Sequence, residues 1–242
     1  MIFFLKKYKF IMIKVDNKID QIIKDINNAP WKMSCIYDYH QVYFDECLSH
    51  VKNDGMWLEF GVYRGRSISY ISSKKDGLVY GFDSFEGLHE FWDDQNPKGV
   101  YSLRGEIPVG SIDDSVPGSN PGMYDSSPTL STKPWNPNIK LVKGYFEESL
   151  PIFLETHKEN VAFMNIDSDL YSSAKTVLTL LKDRIVDGTI ICFDEICDYP
   201  EFRNHEIKAF AEFLIDSNMD YDVIAYQYSS YSQGCFRIKN KK

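Results

Sequence analysis

Met56-Trp57-Leu58-Glu59-Phe60-Gly61-Val62-Tyr63-Arg64-Gly65-Arg66-Ser67 is the stretch whose reading decides the fold. A short apolar run enters a turn with glycines four apart, and a helical stretch follows from Ser67 to about Ser73. Comparable apolar runs recur at Leu78–Phe82, Ile139–Val142, Val161–Ile166 and Thr189–Phe193, with helical segments before or after most of them. Short apolar strands alternating with helices predict a doubly wound α/β sheet, parallel and covered on both faces. After the fifth strand come a polar helix, Arg203 to about Asp216, and two more strands, Asp222–Tyr228 and Gly234–Lys239. Ser229-Ser230-Tyr231-Ser232 between them is too short for a crossover, so that pair is antiparallel. The expectation is a mostly parallel seven-stranded sheet with one antiparallel strand.

Working outward, the apolar positions Ile19, Ile22, Ile23, Ile26 and then Ile36, Tyr43, Phe44, Leu48 recur at three- and four-residue steps, broken at Ala29-Pro30. Residues 1–50 therefore read as an N-terminal helical extension, and 51–242 as one domain. Between the second and third strands lie about fifty residues, Phe85–Asn138, rich in Gly, Pro, Ser and Asp. A connection that long is expected to be a lid or binding loop, with Trp92, Tyr124 or Trp135 stacking on the acceptor.

Composition narrows the chemistry. A chain of 242 residues, 43% apolar, builds one sizeable core. A net charge of −8 argues against a grip on nucleic acid and favours a small-molecule partner. Five cysteines, scattered and without a CxxC pair, indicate neither a disulfide framework nor a thiolate zinc site, and fit a reducing cytoplasm. The opening MIFFLKKYKFIMIK has uncharged runs far below the roughly 20 residues that span a bilayer. It also lacks the order of a signal peptide. Met12 reads as an alternative translation start, which would make the first eleven residues extraneous; the competing reading of those residues is a surface-lying membrane anchor.

The turn at Gly61 and Gly65 lets backbone approach a ligand and leaves helix N–H groups facing it, although a tight turn alone would explain the spacing. The next strand ends at Asp83, where nucleotide-binding α/β folds place an acid that accepts from ribose hydroxyls. The spacing is wrong for a pyrophosphate-binding GxGxxG turn, and Glu59 beside the glycines would repel an anion. S-adenosylmethionine, which has a sulfonium, an ammonium and a ribose but no phosphate, suits the arrangement.

Two further strands end in acids: the fourth at Asp167-Ser168-Asp169, the fifth at Asp194-Glu195. In a doubly wound sheet these ends converge, and Asp167, Asp194 and Glu195 without His or thiolate partners suit a hard cation, Mg²⁺. Helix capping is the alternative for each acid alone.

The Gly-turn motif, GFDSFEGL, VKGYFEESLP, IDSDLYSSAKTVL and an acidic strand end followed by YPEF together resemble the macrocin O-methyltransferase family over roughly Trp57–Phe213. The resemblance implies a class I, Rossmann-like methyltransferase fold, Mg²⁺ dependence and homo-oligomerisation. It assigns Glu59, Gly61, Ser67 and Asp83 to the cofactor, beside which Tyr63, Gly65, Ser84, Gly144, Phe146 and Asp167 are further candidates, and Asp167, Asp194 and Glu195 to the metal. The family pattern has Pro where His89 stands and commonly Asp where Glu195 stands.

An alcohol must lose its proton to attack a methyl sulfonium. Asp169 is the first candidate for the base and His89 the second. The expected acceptor is a sugar or nucleotide sugar, and the richness in Ile, Lys, Asn, Phe and Tyr hints at a low G+C bacterium and its surface polysaccharide. A catechol-like phenol methyltransferase and a non-catalytic cofactor-binding protein are the alternatives.

Overall fold

The computed structural model describes residues 2–34, 40–112 and 132–241, with backbone alone at 2–10, 111–112 and 132–133. An eight-stranded sheet forms the centre. Its strands are β1 (Trp31–Ser34), β2 (Met56–Phe60), β3 (Val79–Asp83), β6 (Ile139–Lys143), β7 (Val161–Ile166), β8 (Ile185–Cys197), β9 (Met219–Tyr228) and β10 (Ser232–Asn240). A separate two-stranded ribbon pairs β4 (Gly110–Ile112) with β5 (Thr132–Pro134). The helices are α1 (Ile2–Ile26), α2 (His40–Ser49), α3 (Arg66–Ser73), α4 (Phe146–Thr156), α5 (Tyr171–Leu180) and α6 (Glu206–Ser217).

Sheet order is β1-β9-β10-β8-β7-β2-β3-β6, and only β10 runs against its neighbours. The single antiparallel strand is as expected, but the sheet has eight strands, not seven. The additional one is β1, in the stretch read as purely helical. It pairs in parallel with β9, Trp31 opposite Ala225. Pro30 stops the helical run as expected, and the Trp31–Ser34 segment then alternates half-buried and exposed residues, the pattern of an edge strand.

The central strands are apolar throughout because each face of the sheet is covered. Along β2, Met56, Leu58 and Phe60 face a core shared with α1, α4, α5 and α6, while Trp57 faces a second core shared with α2 and α3. In α1, Ile19, Ile22 and Ile26 are all buried in the first core, so the N-terminal stretch is built into the domain. Residues of the long connection also pack down. Phe85 joins the second core, and Trp92 forms a small aromatic cluster with Tyr199 and Tyr231. No described helix is long and apolar enough to cross a membrane.

Candidate active site

The order β3-β2-β7-β8 places β2 and β7 side by side, and a cavity of about 400 Å³ opens beyond their carboxyl ends. This is where a doubly wound sheet collects ligands. Gly61 makes the convergence possible. With φ +92°, it lies where a Cβ would sit 1.6 Å from the Asp167 carbonyl oxygen. The amide of Gly61 donates to Phe82 O (2.9 Å) and that of Asp167 to Phe60 O (2.9 Å), so β2, β3 and β7 close together at this point. Gly65, also left-handed (φ +72°), leads into α3.

The expected cofactor residues Gly61, Tyr63, Gly65, Ser67, Asp83, Ser84, Gly144, Phe146 and Asp167 all line the cavity. Asp83 is more occupied than the sequence suggested. Its Oδ2 accepts from the amides of Val62 (2.8 Å) and Tyr63 (2.7 Å), and its Oδ1 from that of Phe85 (2.7 Å). A carboxylate expected to face ribose thus also holds the glycine turn in shape. Glu59 is absent from the lining and fully buried beneath the turn. Ser67 Oγ donates to its Oε1 (2.8 Å), while Oε2 has no partner. Burial, with the Asp194 charge adding to it and the Ser67 hydrogen bond opposing, pushes the Glu59 carboxyl up to about 8. Glu59 therefore lies directly behind Ser67, which lines the cavity.

On the opposite side the acids meet as expected, because Asp167 ends β7 and the adjacent β8 carries Asp194 and Glu195. Carboxylate oxygens of Asp167, Asp194 and Glu195 lie within 4.8 Å of one another. Burial first and the charge of Asp194 second hold the Asp167 and Glu195 carboxyls well above the usual range. Glu195 Oε2 is buried without a partner, and Gln233 Nε2 donates to Asp194 Oδ1. Asp169, at φ +62° and only 7% exposed, also lines the cavity, and burial followed by the Asp194 charge pushes its carboxyl up to about 8. His89 lines the cavity too. Its Nε2 meets Ser172 Oγ at 3.2 Å, and Ser172 in turn donates to Glu90 Oε1 (2.5 Å).

Of the aromatic residues expected to stack on an acceptor, neither Trp92 nor Trp135 lines the cavity. Trp92 is 5% exposed within its aromatic cluster, and Trp135 Nε1 donates to Pro108 O (2.8 Å). Tyr124 lies outside the described residues. Tyr101 is the aromatic from this segment that does line the cavity, edge-on to Tyr63. Its phenol is raised by burial and then by the charge of Asp169. Sequence reasoning also missed Glu206, fully buried at the start of α6, whose Oε1 accepts from Ser168 N and Oγ (both 3.4 Å). An acid in the first turn of a helix reads as a dipole partner, so nothing in its local sequence pointed inward.

Comparison with known proteins agrees with this geometry. The model of the family described as Macrocin-O-methyltransferase (TylF) matches residues 129–228. Mycinamicin III 3''-O-methyltransferase of Micromonospora griseorubida is 24% identical over 166 residues, which cover 62% of this chain and 60% of the relative. The match therefore spans about three fifths of that relative's length. Among solved structures, CalS11, calicheamicin methyltransferase, superposes with a TM-score of 0.56 at 18% identity, covering 92% of this chain and 91% of the other. An O-methyltransferase from Bacillus cereus in complex with SAH gives 0.52 at 15% identity, over 93% and 91%. At such identities the structural likeness shows the fold, that of the class I methyltransferases. The family model spans the strand-end acids and the IDSDLY motif, so over residues 129–228 the chain is similar to the macrocin O-methyltransferase family.

Proposed function

We propose that the chain transfers the methyl group of S-adenosylmethionine to a sugar hydroxyl, with a hard divalent cation, Mg²⁺, held by Asp167, Asp194 and Glu195. The observation that carries this reading is the convergence of those three carboxylates beside the glycine turn, on one cavity. The donor set suits such an ion. It is all oxygen, one buried carboxylate oxygen has no partner, and burial followed by the charge of Asp194 raises the Asp167 and Glu195 carboxyls, a shift that a positive charge would oppose. When bound, a cation of this kind lowers the pKa of a hydroxyl and fixes its position.

The chain's own residues supply the rest. Gly61, Tyr63, Gly65 and Ser67 on one wall, with Asp83, Ser84, Gly144 and Phe146 on another, form the cofactor cradle. Asp169 is placed to take the hydroxyl proton on its carboxylate, since it lines the cavity two residues beyond Asp167 and burial raises its affinity for a proton, pushing its carboxyl up to about 8. His89 is the second candidate, held by Ser172. Residues 85–112, which enclose the cavity with Leu88, His89 and Tyr101, form the acceptor side and would keep water out. The acceptor class is supported by relatives named for sugar chemistry, one of them the TDP-rhamnose 3'-O-methyltransferase CalS11. We place the acceptor among sugars destined for surface polysaccharide, on composition alone.

The test is methyl transfer from S-adenosylmethionine to a panel of nucleotide sugars, free sugars and catechols with Mg²⁺ present. Turnover on a sugar or nucleotide sugar is expected. Turnover confined to catechols, or none on any acceptor despite tight cofactor binding, would overturn the proposal.

A further inference from the structure

Away from the carboxylates, on the sheet face covered by α2 and α3, three of the cysteines that look scattered in the sequence come together. The sulfurs of Cys47 (α2), Cys192 (β8) and Cys235 (β10) lie within 4.8 Å of one another, and all three residues are fully buried. Cys192 and Cys235 are direct partners on adjacent antiparallel strands, and Cys47 comes down on them from the helix. A second observation points into the same place. The hydroxyl of Tyr43, one helical turn before Cys47, is buried without a hydrogen-bond partner. Burial first, and after it the same three thiols, raise its phenol, which places the oxygen beside their sulfurs.

We propose that Cys47, Cys192, Cys235 and the Tyr43 oxygen form a site for one soft divalent cation of the zinc class, separate from the carboxylate cluster. Thiolate donors select zinc or monovalent copper over Mg²⁺. A tetrahedral ion about 2.3 Å from each sulfur sets the sulfurs about 3.8 Å apart, within reach of the observed grouping by small side-chain shifts. Three thiolates leave one net negative charge around a divalent ion but two around a monovalent one. In the apolar core that the thiols share with Phe44, Trp57, Phe163 and Ile224 the smaller residue of charge is favoured. On binding, each thiol gives its proton to solvent and a lone pair to the ion, with no change of oxidation state. The ion enters as the chain folds, since the folded site is closed to solvent. It would tie α2 to β8 and β10 just behind the strand end that carries Asp194 and Glu195.

The test uses the full chain produced in medium containing Zn²⁺ and washed with EDTA, with bound zinc counted by mass spectrometry. A sample produced with Co²⁺ is read for thiolate-to-metal charge-transfer absorption, which a carboxylate site does not give. The expected result is about one zinc per chain in the wild type and in Asp194→Asn, falling at least tenfold in Cys192→Ser and Cys47→Ala. Tyr43→Phe, which keeps the packing, should weaken retention while the charge-transfer band persists. The wild type alone decides the matter if a cysteine variant fails to fold. No retained zinc and no charge-transfer band, or a mass lower by two hydrogens from a Cys192–Cys235 disulfide, would overturn the proposal.

Discussion

Gly61 and Asp167 touch through backbone alone: the position a Gly61 Cβ would take is 1.6 Å from the Asp167 carbonyl oxygen. Strand β2, which begins the cofactor turn, and strand β7, which ends in the acid cluster, are thereby held together by the lack of a side chain. Gly61→Ala should cost about 2 to 5 kcal/mol, from a left-handed φ combined with a steric clash. Gly99→Ala is the control, since it shares a positive φ (+88°) but has nothing within 4 Å. It should cost about 1 to 2 kcal/mol. Urea unfolding of the two variants measures the difference, and equal losses would show that the contact with Asp167 does not matter.

Asp83 accepts from three backbone amides. Asp83→Ala should therefore damage the turn as well as the cofactor site, lowering stability by about 1 to 3 kcal/mol together with affinity for S-adenosylmethionine. Asp83→Asn keeps an acceptor oxygen and should recover part of the stability. Calorimetric titration and thermal unfolding of both variants check this. Loss of affinity in Asp83→Ala with unchanged stability would mean that the carboxylate serves the ligand alone.

The reading of strands was most successful where burial on both faces makes a strand almost continuously apolar, as in β2 and β7. It failed for β1, four residues whose partner strand lies near the other end of the chain, Trp31 against Ala225. Pairing at that distance leaves no local periodicity to read. The Asp167, Asp194 and Glu195 cluster was legible because parallel strands deliver their carboxyl ends to one edge. Glu206, Tyr101 and the three-thiol cluster were not, since each depends on which helix or loop folds over which strand. Glu59 is a different case. It lies in the right motif, yet strand alternation turns it beneath the turn toward Ser67.

Glu59 makes a pH prediction. Its carboxyl titrates at about 8 in the folded chain against an ordinary 4.5. Between these values the folded chain holds a proton that the unfolded chain has released. Its contribution to stability is therefore full below the unfolded value and is lost as pH rises toward 8. Glu59→Gln keeps an oxygen for Ser67 and removes this titration. In EDTA and without cofactor, its melting temperature should fall less between pH 5 and 8 than that of the wild type. Parallel melting curves across that range would count against the burial argument.

The acid cluster predicts an exchange of stability for activity. With no cation bound, Asp194→Asn removes one of the charges repelling Asp167 and Glu195 while its Oδ1 can still accept from Gln233. In EDTA the variant should be more stable than the wild type by about 1 kcal/mol. It should also be inactive at any Mg²⁺ concentration, whereas wild-type activity is lost to EDTA and restored by Mg²⁺. Full wild-type activity after exhaustive chelation would remove the metal from the proposal.

The long connection offers the last test. Its first part packs against the domain through Phe85 and Trp92 and gives the cavity Leu88, His89 and Tyr101, while β4 and β5 pair at its waist. Tyr101 lies close enough to Asp169 for that charge to act on its phenol, and on this ground the segment is expected to serve the acceptor, although Tyr101 and His89 also meet Tyr63 and Tyr145 edge-on. Replacing residues 113–131 with a short Gly/Ser bridge leaves the β4–β5 pair and the packed part intact. It should raise the acceptor KM, or abolish turnover, with S-adenosylmethionine affinity unchanged. Tyr101→Phe, which keeps the edge contact with Tyr63 but removes the hydroxyl, should also raise the acceptor KM, by about tenfold for one lost hydrogen bond to a sugar. Calorimetry for the cofactor and steady-state kinetics for the acceptor separate the two sites. Normal acceptor kinetics with a weakened cofactor site would assign the connection to the other ligand.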